Sequence, residues 1–118
     1  RILIPKQYRL KNKNAFKATY RVKHSSHTGG ITLFAGILKK DEAPTKVGFV
    51  VSKKVHKRAV KRNRLKRLMR ESYRLHLKAQ NLGETQKYMS LVFLATENAL
   101  GKNFKEIDIC IDKLLKGI

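Results

Sequence analysis

The segment KRAVKRNRLKRLMRESYR, Lys57 to Arg74, carries nine cationic side chains in eighteen positions and a single acid, Glu71. At about 100° per residue, Leu65, Leu68, Met69, Ser72, Leu75, His76 and Ala79 fall on one stripe, which predicts a helix over about 57–79. A helix with one apolar stripe has to bury it, so the chain must build a layer to receive it. Asn63, Lys66, Arg67, Arg70 and Arg74 then cluster on the far side, with Arg62 and Arg64 at opposite borders of the stripe. Arg58, Arg62, Lys66, Arg70 and Arg74 form an unbroken i, i+4 row. Each like-charged neighbour pair destabilises an isolated helix by roughly 0.2–0.5 kcal/mol, so the row costs about 1–2 kcal/mol without a partner.

The rest of the chain supplies the layer. Residues 1–12, RILIPKQYRLKN, read as extended up to Leu10, with Pro5 opposing an early helix. From Lys13 the pattern turns helical, with Phe16 and Tyr20 four apart on one face, and HSSHTGG supplies turn formers at its end. ITLFAGIL alternates as a strand, with Ile31, Leu33, Ala35 and Ile37 on one face and Thr32, Phe34, Gly36 and Leu38 on the other. After the loop KKDEAPTK, VGFVVSK puts Val47, Phe49 and Val51 on one face and Gly48, Val50 and Ser52 on the opposite one. The bulky faces make core. The faces of mostly small residues, with Phe34 isolated among them, predict a shallow open floor, although an ordinary solvated sheet face fits the strands equally. MSLVFLAT, Met89 to Thr96, is a further strand. NFKEIDICIDKLLKGI closes the chain as an amphipathic helix with Phe104, Ile107, Ile111, Leu114 and Ile118 inward, and Asn103 and Glu106 have capping-box spacing. The order of helix, strands, helix, strand, helix predicts a single α+β sandwich domain over 1–118.

A formal net charge of +20 far exceeds what solubility requires and implies a polyanionic partner, nucleic acid or an anionic membrane. Residues 1–40 contain no Asp or Glu, yet apolar residues are interleaved with the charges nearly throughout, so the basic surface is a folded one. No apolar run is long enough to cross a bilayer, and no secretory signal pattern opens the sequence. Cys110 is the single cysteine, which excludes an internal disulfide and fits a reducing compartment; the expected location is the cytoplasm.

The residues for a protein-borne catalytic centre are missing. Asp41 and Glu42 lie together beside Pro44 and read as a solvated turn. His24 and His27 lack the further ligands that a metal requires. No Walker-type loop, dinucleotide fingerprint or nucleophile elbow is present. A phosphate-binding array is better supported, because Arg side chains in a fixed row present planar forks to phosphate oxygens. Phe16 and Tyr20, set among Lys13, Lys17, Arg21 and Lys23, offer aromatic faces suited to unstacked bases, as does Phe34, although taken alone Phe16 and Tyr20 read more readily as core.

The stretch KRNRLKRLMRE, preceded by VGFVVSKKVHKRAV, resembles the signature of the bacterial ribonuclease P protein subunit. RLKNKNAFKATY is similar to that family's N-terminal segment, and the resemblance covers nearly the whole chain. It departs from the family pattern in having no glycine soon after the first helix, where RVKHSSHTGG delays it to Gly29. The resemblance implies a fold shared with the second domain of a small-subunit ribosomal protein, in which the long helix joins parallel strands by a left-handed crossover. It also implies partners: a catalytic RNA subunit that holds Mg2+ and cleaves precursor tRNA, with no cofactor bound by protein side chains and no membrane or DNA involved. By motif position, Arg58, Arg62, Asn63, Arg64, Lys66, Arg67, Arg70 and Arg74 fall to the RNA subunit. Phe16, Tyr20, Phe34, Val50 and Lys54 fall to a cleft for the single-stranded 5′ leader. Two alternatives are a small basic ribosomal protein bound to ribosomal RNA and a nuclease acting without RNA.

Overall fold

The computed structural model describes residues 4–118; the extended conformation expected of residues 1–3 lies outside them. Three helices, α1 (Lys13–Arg21), α2 (Ala59–Lys78) and α3 (Phe104–Gly117), pack on a sheet of β1 (His24–Thr28), β2 (Ile31–Ala35), β3 (Lys46–Val51) and β4 (Ser90–Ala95). The strand order is β1-β2-β4-β3. β1 pairs with β2 and β2 with β4 antiparallel, whereas β3 and β4 are parallel and joined through α2.

The core lies on the sheet face of Ile31, Leu33, Ala35, Val47, Val51, Leu91, Phe93 and Ala95. Phe49 stacks on Phe93 at 5.5 Å, and Tyr73 of α2 meets both rings edge-on. α2 buries Leu65, Met69 and Tyr73, one i, i+4 row, together with Ser72 and His76. That corrects the expected stripe, because Leu75 is 40 % exposed and Ala79 is exposed. A helix wedged between a sheet and a second helix buries two adjacent rows, and the row of Ser72 and His76 is the one that meets α3. Burial raises the Tyr73 hydroxyl to about 12, and the hydroxyl accepts a hydrogen bond from Gln86 Nε2 at 3.1 Å.

α3 starts at the capping box read from its sequence: Asn103 Oδ1 accepts from Glu106 N at 2.9 Å, and Glu106 Oε1 accepts from Asn103 N at 3.1 Å. It buries Ile107, Cys110, Ile111, Leu114 and Leu115, and half-buried Ile118 packs against the same core, while Phe104 is only half-buried. Its polar flank meets α2, where Ser72 Oγ donates to Asp108 at 2.6 Å and His76 Nε2 lies 3.2 Å from Asp112. The other ring nitrogen, Nδ1, is 2.8 Å from the Ser72 carbonyl, so both nitrogens donate at once only in the imidazolium form.

Three local expectations are overturned. HSSHT is not a turn but strand β1, folded back on β2 through Gly29 and Gly30, whose φ of +60° and +87° suit a two-residue hairpin turn. Polar residues hold this strand because one of its faces is solvated. ITLFAGIL stops being a strand at Ala35, leaving Ile37 and Leu38 52 % and 59 % exposed. Residues 6–8 form a 3-10 turn before the chain meets β3, where Leu10 N donates to Val47 O at 2.9 Å. The missing glycine after α1 also has an explanation: Lys23 takes its place in the left-handed region at φ +60°.

α1 crosses the opposite face of the sheet. Asn12 caps it, accepting from Asn14 N at 2.8 Å, and buried Thr19 is hydrogen-bonded to Ser90 Oγ at 2.6 Å. The Phe16 ring lies where a Cβ on residue 48 would stand, so Gly48 is what lets the helix sit down. Gly48→Ala should therefore destabilise the fold by about 1–3 kcal/mol through overpacking, and Gly48→Ala with Phe16→Leu should recover part of that in thermal melts.

The polar flank of α3 predicts an acid response. The Lys116 ammonium, and less strongly His76, hold the Asp112 carboxyl below its ordinary value of 3.8 against a smaller opposing effect of burial. A depressed carboxyl contributes stability above its unfolded pKa and loses it as pH falls through the folded one. Between about pH 5 and 3, the wild-type chain should lose more stability than Asp112→Asn, by about 1 kcal/mol or less because solvent screens the half-exposed group. Equal acid slopes in denaturant titrations would refute this coupling.

Candidate nucleic-acid interface

Two surfaces flank this framework. The first is the outward side of α2, where Asn63 and Arg67 are exposed and Lys66, Arg70 and Arg74 are half-buried. The cationic row is thus not all on the far side, as helical periodicity alone implied, but leans toward the β3 edge. Among the described residues, every ion pair joins His76 or Lys116 to Asp108 or Asp112, and no cation of this row has an acidic partner. Arg74 Nε is enclosed without a hydrogen-bond partner.

The start of α2 departs from the row in a different way. Arg58 is the N-cap and precedes the helix, offering no side-chain cap. Its backbone N–H donates to His56 Nδ1 at 3.0 Å. Arg62 folds back so that its Nη1 donates to the carbonyls of His56 and Lys57 at 2.8 and 2.9 Å, which orders the loop leading into the helix. Arg64, on the other border, reaches toward the Lys102 carbonyl at 3.4 Å beside Leu100 and Gly101. These residues combine a cationic charge with a local structural task.

The second surface is the sheet face that α1 only partly covers. Strand register puts Phe34, Val92 and Gly48 in one row, and Thr32, Leu94 and Val50 in the next. α1 lies over the first row: Phe16 is against Gly48, and Tyr20 meets Phe34 edge-on at 4.9 Å and 84°. Burial beside the sheet raises the Tyr20 hydroxyl above its ordinary value. The second row stays accessible, with Thr32, Val50 and Leu94 half-buried, as Phe34 is in the first. The structure therefore sets Phe16, Tyr20 and Phe34 together between α1 and the sheet, with Val50 in the adjoining row of the same face. Lys54 stands at its end, in a shallow depression with Ser52, Leu94, Thr96 and Asn98.

Thr32 stands on this face as its strand alternation placed it, whereas sequence reasoning missed His27 and Leu94 there. His27 Nδ1 is 2.7 Å from Thr32 Oγ1, and both face the cleft from β1 and β2. The signal was present in Gly29-Gly30, which marks a hairpin and would have turned HSSHT into an alternating strand. Among the described residues no three His, Cys, Asp or Glu side chains are grouped to hold a metal ion. No described helix is long and apolar enough to cross a membrane.

Residues 4–118 match the family model described as Ribonuclease P. The ribonuclease P protein component of Clostridium kluyveri is 34% identical over 109 residues, covering 92% of each chain. That of Clostridioides difficile is 38% identical over 108 residues, covering 91% of this chain and 88% of its own. The Staphylococcus aureus RNase P protein superposes with a TM-score of 0.78 at 25% identity over 94% of both chains. The Thermotoga maritima RNase P protein, at 20% identity, shares the fold with a TM-score of 0.72 over 93% of this chain and 96% of its own. With the same α+β architecture and a family match over nearly its full length, the chain belongs to the ribonuclease P protein family.

Proposed function

We propose that the chain is the protein subunit of a ribonuclease P ribonucleoprotein, binding the catalytic RNA and the 5′ leader of precursor tRNA to promote endonucleolytic removal of the leader. The observation that carries this reading is the α2 row, whose cations have no acidic partner among the described residues and need phosphates to relieve them. Arg58, Arg62, Asn63, Arg64, Lys66, Arg67, Arg70 and Arg74 dock on the RNA subunit. The cleft of Phe16, Tyr20, Phe34, Val50 and Lys54 receives the leader, whose unstacked bases find aromatic rings and whose backbone finds Lys54.

On this reading the hydrolysis belongs to the RNA, which holds the Mg2+ ions. The protein positions the leader and neutralises phosphate charge where two RNAs approach each other. The cytoplasm is its location, as the partners require. The family match favours this role over that of a ribosomal protein. Reconstitution tests it: purified protein should leave precursor tRNA intact, and addition of ribonuclease P RNA should restore cleavage. Cleavage by the protein alone, or failure to bind that RNA, overturns the assignment.

Charge makes the RNA-subunit contact salt-dependent. Affinity should fall linearly in a log–log plot, with a slope of about −0.7 to −0.9 per phosphate neutralised. Arg67→Ala should lower the slope magnitude by about one unit and change folding stability by less than about 0.5 kcal/mol, since Arg67 is exposed. A collapsed melting temperature with normal RNA affinity would make the row structural.

Stacking makes the leader contact nearly salt-independent. Phe34→Ala should weaken binding of leader-bearing precursor tRNA to the assembled enzyme by roughly 1–3 kcal/mol per base lost, leaving mature tRNA and RNA-subunit affinities unchanged. Because Phe34 also touches Tyr20, circular dichroism must first establish that the variant is folded. Equal loss of precursor and mature tRNA would remove this sheet face from the leader path.

A further inference from the structure

The two surfaces meet at a place that helical periodicity does not reveal. A pocket of about 330 Å³ opens at the β3 edge, lined by Arg9 and Lys11 before α1, Phe16, Gly48, and Lys66 and Arg70 of α2. That volume falls in the range of sites that take a small ligand, about 300–1,000 Å³. Its cations come from segments more than fifty residues apart, and no acid lines it. Like charges gathered in a half-enclosed space repel one another more than on an open surface, because less water screens them.

The walls are held in place before any ligand arrives. Arg9 Nε donates to the Ile4 carbonyl at 2.7 Å, and Leu10 N donates to Val47 O at 2.9 Å, so the N-terminal segment is fastened along β3. Lys66 and Arg70 project one turn apart from α2, itself fixed by its buried row. Phe16 supplies an apolar wall, seated there by the absence of a side chain at Gly48. The pocket thus combines converging cations with an aromatic face, the complement of a phosphate attached to a sugar and base. An acidic protein segment would satisfy the charge but would leave the aromatic wall unused, and the pocket is continuous with the outward row of α2.

We infer that this pocket holds one nucleotide of an RNA strand, its phosphate gripped between Lys11 and Lys66 and its sugar or base against Phe16. The inference rests on the RNA-binding reading of α2 and adds to it a clamp in which the N-terminal segment and the helix share one ligand. The nucleotide comes from the RNA subunit or from the leader, and Phe16, also part of the leader cleft, stands where the two paths converge.

A double-mutant cycle tests the clamp. Lys11→Ala, Lys66→Ala and the double variant are measured for RNA-subunit affinity, and, in the assembled enzyme, for preference of precursor over mature tRNA. Each single change should weaken one of these by roughly 3- to 10-fold, and the double variant by less than the product of the two losses. The double variant should lower the salt slope by about one unit, whereas two independent phosphate contacts would lower it by about two. Coupling in the RNA-subunit measurement assigns the nucleotide to that RNA, and coupling in the tRNA measurement assigns it to the leader. Lys11→Ala combined with Arg64→Ala, on the other border of α2, serves as the uncoupled control. Multiplicative losses in both measurements, or no loss from either lysine, overturn the clamp. Arg67→Ala in the same assay reports on α2 independently, so a normal loss there with uncoupled lysines removes the pocket alone. Unchanged melting temperatures exclude unfolding as the cause.

Discussion

Parallel neighbours β3 and β4 cannot be joined by a tight turn, so the chain between them must leave the sheet and return along one of its faces. α2 is that return. Its Leu65, Met69 and Tyr73 row is buried against the sheet, with Tyr73 on the rings of Phe49 and Phe93, and this sets the rotation of the helix about its axis. Once the rotation is set, the direction of every Arg and Lys on α2 follows. The burial that stabilises the domain is therefore the same interaction that presents the cations, and neither can be changed without the other.

The opposite face obeys a different constraint. A sheet face with Gly36 and Gly48 on it offers little to bury, so α1 is held by particular contacts: Phe16 in the space left by Gly48, Thr19 to Ser90, and Tyr20 against Phe34. Because the helix covers one row of the face and leaves the next, a groove remains with aromatic residues along one wall. Small residues here bring α1 close and keep the floor of the groove low.

The electrostatics divide in the same way. The described acids that form ion pairs sit on α3, where Asp108 and Asp112 meet His76 and Lys116. None of them reaches the outward row of α2. Hydrogen bonds from Ser72 to Asp108 and between His76 and Asp112 strengthen the joint between the helices, and the absence of acids beside the outward row leaves a surface of one sign. Such a surface speeds the approach of a polyanion and also makes the unbound protein less stable than its packing alone would allow.

Much of this was legible in the residues themselves. The helical period of Leu65 and Met69, the alternation of Ile31 to Ala35 and Val47 to Val51, and the Asn103–Glu106 spacing each specify a local structure through near-neighbour geometry, and each element formed where its pattern stood. The cationic row of α2 and the Phe16–Tyr20 pair on α1 also lie on the helices their spacing specified. What periodicity could not supply was any fact about a second neighbour. Tyr73 replaced Leu75 in the core because α2 touches both the sheet and α3. HSSHT became a strand because β2 offered it a free edge, and a polar strand carries no apolar alternation to announce itself. Arg9, Lys11, Lys66 and Arg70 became one pocket only when the N-terminal segment was fastened along β3. Local spacing in the sequence determined the elements and the chemistry on each; long-range packing alone decided which faces were buried and which charges came together, because those depend on contacts between residues far apart in the chain.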